Sequence, residues 1–380
     1  MRLEIPDNND PKLPEVVERL LQKESNHKIT GIYGKLTMNQ FQGSGRTNTN
    51  DFTREQAEER IDVYREMGLN FNCTNNSVAP EADVLENRPK IIEELRWLEE
   101  LGISSLTVAD YGLARLAGNY CPSIGLTTSF FAEVDNKTKL LQWAKLPNVK
   151  VINTGRPTYR NIPLLEELVK IAGEHDTKIK VIANLGCMSD CIQTVGHAII
   201  KSYASIDAPA LHCRPFTFYC MKLLLEDPEK FLKLPIIRPE DLDAYANIGV
   251  DSVKLVDRSQ SSDWIEKVVG YYLDGNYRGN ILDLTCNFTS LDLNKMSNEE
   301  VSKVNMDKVV ASRAGVREYR RILPELMGVS IDPEYDFLAC DNVCDDCAEC
   351  KDNSALKYDP DRIKMVLDQL NIIEDNHSYK

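Results

Sequence analysis

Val149-Lys-Val-Ile-Asn153, the run Ile162–Glu174 and Lys178-Ile-Lys-Val-Ile-Ala183 make up the stretch that decides the fold. The two outer pieces are short and apolar, as buried strands are, and the middle piece has helical length and pattern. Strand, helix and strand in this order form a parallel βαβ unit. Outward toward the N-terminus the alternation repeats. It meets the helix Lys137–Ala144, the strand Ser123–Thr128, and the strand Ser105-Leu-Thr-Val-Ala109 ending at Asp110. Next come the helix Asn87–Leu101 stopped by Gly102, the strand Leu69–Thr74, and the helix Thr53–Met67, with Thr53 as its cap ahead of Glu55 and Gln56. The strand-like Ile29–Leu36 and the amphipathic Pro11–Lys23 come first in the chain. Toward the C-terminus follow a short strand Ala208–His212, a helix Arg238–Ile248, a strand Val250–Val256 and a helix Trp264–Leu273.

About eight repeats over roughly 250 residues predict a (β/α)8-like, TIM-type barrel. A doubly wound open sheet is the alternative, but it usually offers an early Gly-rich phosphate turn, and Gly43-Ser-Gly45-Arg46 lacks that pattern. The expected division is a helical lead-in over 1–28, a barrel over 29–280, and a C-terminal cysteine-rich extension over 281–380. The extension carries Pro324, Pro333 and Pro360 and ends in a helix, Asp361–Leu370.

The 380 residues include 42% apolar residues, enough for a sizeable core, and the formal net charge is −14. That charge argues against bulk nucleic-acid binding, which needs a cationic footprint. The N-terminus has no signal-peptide pattern, and no apolar run is long enough to span a bilayer, so a cytoplasmic protein without a membrane partner is expected. In that compartment, clustered cysteines read as metal or redox sites before disulfides.

Eleven cysteines are present. Four fall in Cys340-Asp-Asn-Val-Cys344-Asp-Asp-Cys347-Ala-Glu-Cys350, and four more form the pairs Cys187-Met-Ser-Asp-Cys191 and Cys213/Cys220. Thiolates this close repel one another unless a metal or cluster neutralises them. Zinc competes for the terminal motif, but a tetrathiolate zinc site usually has two knuckles separated by a longer loop. The compressed spacing suits a 4Fe–4S cluster better. Cys73, Cys121 and Cys286 are isolated and read as core residues.

Working residues of a β/α barrel lie at the C-terminal ends of its strands. Those ends offer Asp110, His212, Lys254 and Asp257 as catalytic candidates. They also offer Asn75, Arg156, Arg214 and Arg258 for binding substrate, the arginines suiting a small carboxylate co-substrate. H-E-x-x-H, G-x-S-x-G and P-loop patterns are all absent, so the usual hydrolase chemistries are unsupported.

Three blocks carry a family resemblance. They are Ile91–Asp110, Ile182-Ala-Asn-Leu-Gly-Cys-Met-Ser-Asp-Cys191, and Pro239-Glu-Asp-Leu leading to Gly249-Val-Asp-Ser-Val-Lys-Leu-Val-Asp-Arg258. Together with Val269-Gly-Tyr-Tyr-Leu273 they resemble the collagenase-like peptidases of peptidase family U32. The resemblance implies a barrel that holds an iron–sulfur cluster on Cys187, Cys191, Cys213 and Cys220. It also implies an oxidative modifying enzyme, of the kind that hydroxylates without dioxygen, acting on a small-molecule, peptide or base substrate. A second cluster on Cys340, Cys344, Cys347 and Cys350 is expected to be separable from the first, the alternative being one composite cluster that draws ligands from both regions. A peptidase, as the family name says, and a non-catalytic iron–sulfur subunit serving a paralogous or redox partner are the alternatives.

Overall fold

Parallel strands with apolar residues on both faces have to be covered on both sides, and closing the sheet into a ring achieves this. In a computed structural model of the protein, eight strands do so: β1 (Arg2–Pro6), β2 (Lys28–Gly34), β3 (Asn70–Asn75), β4 (Ser105–Val108), β5 (Gly125–Thr128), β6 (Val149–Asn153), β7 (Lys178–Ile182) and β8 (Ser252–Lys254). Each pairs with the next in parallel, and β8 closes the ring on β1 through Leu3 opposite Val253. The structure describes residues 1–36, 52–78, 86–206, 214–285, 322–339, 350 and 354–376.

One expected strand is exchanged for another. The first barrel strand is Arg2–Pro6, inside the stretch expected to be a helical lead-in, so the barrel begins at the N-terminus and not at residue 29. The expected strand Ala208–His212 lies outside the described residues, and the ring closes without it because β7 pairs directly with β8.

Helices α1 (Leu13–Leu21), α2 (Arg54–Glu66), α3 (Arg88–Glu100), α4 (Tyr111–Tyr120), α5 (Lys137–Ala144), α6 (Ile162–Glu174), α7 (Thr194–Ile206), α8 (Arg214–Glu226), α9 (Leu242–Asn247) and α10 (Ser262–Asp274) follow the strands. Their starts are chemically marked. Thr53 makes a reciprocal capping box with Gln56, and Asp110, Asn136, Asn161 and Ser261 each accept a backbone N–H from the first turn. The expected helix over Arg238–Ile248 is a short 3-10 turn, Pro239–Asp241, running into α9. Gly249 then turns the chain into β8 at φ +90°, and a Cβ there would stand 2.9 Å from Val169 Cγ1. Only glycine meets both demands without strain.

The main core lies between the strands and this helical layer. A second apolar core joins α8 and the segment around Phe231 and Leu234 to the extension, which contributes α11 (Leu323–Met327), a two-stranded sheet of β9 (Ser330–Ile331) and β10 (Leu356–Lys357), and α12 (Pro360–Asn376). The extension is thus packed on the barrel. No helix among the described residues is long and apolar enough to cross a membrane.

Candidate functional site

The barrel interior is polar where branched apolar residues are usual. Glu4 of β1 accepts hydrogen bonds on Oε1 from Lys180 Nζ of β7 and from Asn72 Nδ2 of β3, each at 2.9 Å. Neither strand neighbours β1, so these side chains meet across the inside of the ring. Thr107 of β4 extends the network by donating to Asn72 Oδ1 at 2.8 Å. Lys254, the last residue of β8, places its ammonium 3.8 Å from Glu4 Oε2 and 3.4 Å from the centroid of the Tyr33 ring. All of these groups are buried. Burial pushes the Glu4 carboxyl up, but Lys180, Lys254 and the hydrogen bonds outweigh it and hold the group below its ordinary value. Two ammonium groups lie against this carboxylate.

Above the strands, α7 crosses from one side of the mouth to the other. Its first residue, Thr194, is bonded to Arg156 after β6, while its Ser202 Oγ accepts the N–H of Val78, just past β3. Asn184, past β7, stitches the neighbouring strand end by donating to the carbonyls of Val256 and Leu284 and accepting the Val256 N–H.

The cysteine loop leaves β7 beside Arg156. That guanidinium is buried and ion-paired with Glu133 at 2.7 Å. It donates to the Met188 carbonyl at 3.1 Å, and Thr194 Oγ1 lies 2.5 Å from Nη2. Its Nε–H is buried without a hydrogen-bond partner. The electrostatic pull of Cys187 and Cys191 on Arg156 puts both thiols within its field. Cys220 of α8 donates its thiol to Cys191. This contact leads the causes, set against burial, that bring the Cys191 thiol down to about 6. Cys220 and Cys350 are both buried in the second core, with Cys191 packed against it, and Cys187 packs against the main core. One turn beyond Arg156, fully buried Arg160 donates to the carbonyls of Phe337, at 3.0 Å, and of Leu232, and its guanidinium stacks on the Phe337 ring at 4.9 Å. Cys73 and Cys121 are buried core residues whose thiols burial pushes up to about 12 and about 11.

The rim candidates divide. Lys254 belongs to the interior network, and Arg156 to the cysteine loop, where its partner is Glu133 and the free carboxylate role is taken up internally. Asp110 caps α4, accepting the Leu113 N–H at 2.7 Å, a structural task. Asp257 is buried and accepts from Ser259 N and Oγ, and Asn75 and Arg258 are buried at the same end of the barrel. His212, Cys213, Cys340, Cys344 and Cys347 lie outside the described residues, as does the side chain of Arg214. Among the described residues no three His, Cys, Asp or Glu side chains are grouped closely enough to hold a metal ion.

Sequence reasoning missed Glu4, Lys180 and Glu133. The first two had a signal: Leu3-Glu4-Ile5 and Ile179-Lys180-Val181 each set one charge between apolar residues in a strand. In a closed barrel, that alternation points the charge inward.

Residues 32–158 match the model of peptidase family U32. An uncharacterized protease of Methanocaldococcus jannaschii is 27% identical over 273 residues, covering 70% of this chain and 77% of that protein. A solved U32 peptidase superposes with a TM-score of 0.47 at 15% identity, over 67% of this chain and 92% of that one. A GH113 β-1,4-mannanase superposes with a TM-score of 0.37 at 10% identity, over 72% and 98%. The two sequence matches point the same way as the chain's own motifs, to a similarity with peptidase family U32 that the family model places in residues 32–158.

Proposed function

We propose that the chain is an iron–sulfur-dependent oxidative modifying enzyme, with its cluster held beside the mouth of the barrel and a small carboxylate as co-substrate. The observation that carries this reading is the contact between the Cys191 and Cys220 thiols, with Arg156 in the field of Cys191 and of Cys187 on the same loop. A thiol-only donor set fits an iron–sulfur cluster, whose irons each take a different cysteine. When bound, the cluster supplies one-electron redox chemistry. The chain's own residues do the rest. Arg156 fixes the cysteine loop through the Met188 carbonyl and Thr194. Lys254, at the end of β8, binds and orients the carboxylate of the co-substrate. Helix α7, spanning the mouth from Arg156 to Val78, excludes water.

The test is anaerobic purification followed by iron and sulfide analysis and an absorption spectrum. Iron with matching sulfide and broad visible absorption is expected. Stoichiometric zinc with negligible iron would sink the reading. Metal-independent cleavage of a protein substrate would instead favour the peptidase that the family name and the archaeal relative's description carry.

A further inference from the structure

Two sulfurs meet where the loop after β7 turns into α7. Cys191 lies three residues before the first residue of that helix. Its carbonyl is bound twice, by the Thr194 N–H at 3.1 Å and by the Thr194 hydroxyl at 2.6 Å. Its sulfur takes the Gln193 N–H, and the Cys220 thiol of α8 donates to it. Arg156 fixes this arrangement from both sides, donating to the Met188 carbonyl ahead of Cys191 at 3.1 Å and to Thr194 Oγ1 behind it at 2.5 Å. Backbone N–H groups at a helix start and a neighbouring guanidinium are the surroundings that activate a thiol for attack. The two sulfurs are unequally placed. Cys191 is half-buried and lies between Asp190 and Ile192, both exposed, whereas Cys220 is buried. A reagent therefore reaches Cys191 first, and Cys220 stands behind it, already in contact. An accessible attacking thiol backed by a buried resolving thiol is what thiol–disulfide exchange needs. Cys73 and Cys121, enclosed in the main core, offer no such access.

We propose that Cys191 and Cys220, when no metal occupies their sulfurs, are a redox-active dithiol that exchanges with small-molecule disulfides. This goes beyond the iron–sulfur reading and does not rest on it, because two thiols in contact suffice. In the first step the Cys191 thiolate attacks one sulfur of the disulfide RSSR. A Cys191–SR bond forms, the S–S bond of the reagent breaks, and RS⁻ leaves to take up the proton that Cys191 gave to solvent. Cys220 then attacks the Cys191 sulfur, its proton passes to the second departing RS group, and the Cys191–Cys220 bond forms. The pair is oxidised by two electrons, and the reagent is reduced to two RSH. Excess thiol runs the sequence backwards.

The test uses full-length protein as wild type, Cys220→Ser, Cys191→Ser and Cys121→Ala. Iron and zinc are measured first and removed with a chelator in the absence of oxygen. The protein is then treated with oxidised glutathione and mapped by non-reducing peptide mass spectrometry. Wild type and Cys121→Ala should carry a Cys191–Cys220 disulfide, with no glutathione on either residue. Cys220→Ser should instead keep one glutathione on Cys191, and Cys191→Ser should leave Cys220 unmodified. A disulfide from Cys191 to any other cysteine, glutathione retained on Cys191 of wild type, or both thiols still free there would overturn the proposal. The wild-type map decides alone if a serine variant fails to fold. Iron that must be removed before the disulfide forms upholds both this pair and the iron–sulfur reading. Protein purified without iron that forms the disulfide upholds the dithiol and overturns the cluster. Iron-containing protein that forms no such disulfide after iron removal overturns the dithiol alone.

Discussion

Replacing Glu4 with Gln tests the interior network directly. Glu4 lies 2.9 Å from Lys180 and 3.8 Å from Lys254, and all three are buried. Gln keeps the volume and a neutral acceptor for Asn72 but removes the charge that Lys180 and Lys254 face. Breaking a buried pair by removing one partner costs about 3–5 kcal/mol, and the retained acceptor places this change near 3 kcal/mol. With a urea slope of about 3 kcal/mol/M, the unfolding midpoint should fall by about 1 M, read by circular dichroism. Adding Lys180→Met should restore part of the loss, with a coupling energy of about 2–3 kcal/mol. The pH dependence has a definite sign. The folded Glu4 carboxyl titrates below its unfolded value. Its contribution is therefore complete above the unfolded pKa and disappears as pH falls through the folded one. Wild type should lose stability in acid faster than Glu4→Gln. A midpoint within about 0.2 M of wild type, or strict additivity of the two substitutions, would refute the network as an electrostatic unit.

Further expectations follow from single contacts. Arg156→Met should release the cysteine loop, read as faster loss of bound metal to a chelator, while Arg156→Lys, which cannot span Glu133, Thr194 and Met188 at once, should restore it only in part. In native protein at pH 8, iodoacetamide should leave Cys73 and Cys121 unmodified for as long as the fold persists, because burial holds their thiols near 12 and 11; rapid labelling of either, measured by mass spectrometry, would contradict their place in the core. Gly249→Ala should lower stability by about 1–2 kcal/mol through its positive φ, and by more through the Val169 contact, in thermal melts. Arg160→Leu should unseat Phe337 and expose the extension to limited proteolysis while the barrel resists.

The barrel was legible because its strands are short apolar runs set between amphipathic helices, and β6, α5 and α6 fall where the pattern puts them. Strand β1 escaped because Arg2-Leu-Glu-Ile-Pro6 carries two charges in five residues and owes its place to partners in β2 and β8. Helix α4 was hidden by its small residues. Gly118 packs so closely that a Cβ would stand 2.8 Å from the Pro147 carbonyl, a contact no periodicity announces. On α7, exposed Val195 and Ile199, with Ile192 just ahead of them, blur the apolar face. Rim positions could be read as positions, but not their partners. Arg156 and Glu133 come from loops after different strands, and only the folded ring brings them into contact.

The closed ring also dictates when the chain can fold. Glu4 is made 176 residues before its nearest ammonium partner, and the strand that seals the ring comes later still. During synthesis, β1 therefore waits as an unpaired edge with a carboxylate that must stay hydrated until β7 and β8 emerge. Such long-range closure is slow and leaves nascent strands open to mispairing, so a ribosome-bound chain ending before residue 254 should remain protease-sensitive at its N-terminus. The charged interior thereby acts as an assembly check, because the sheet cannot be sealed on the wrong neighbour without stranding Glu4 away from both lysines.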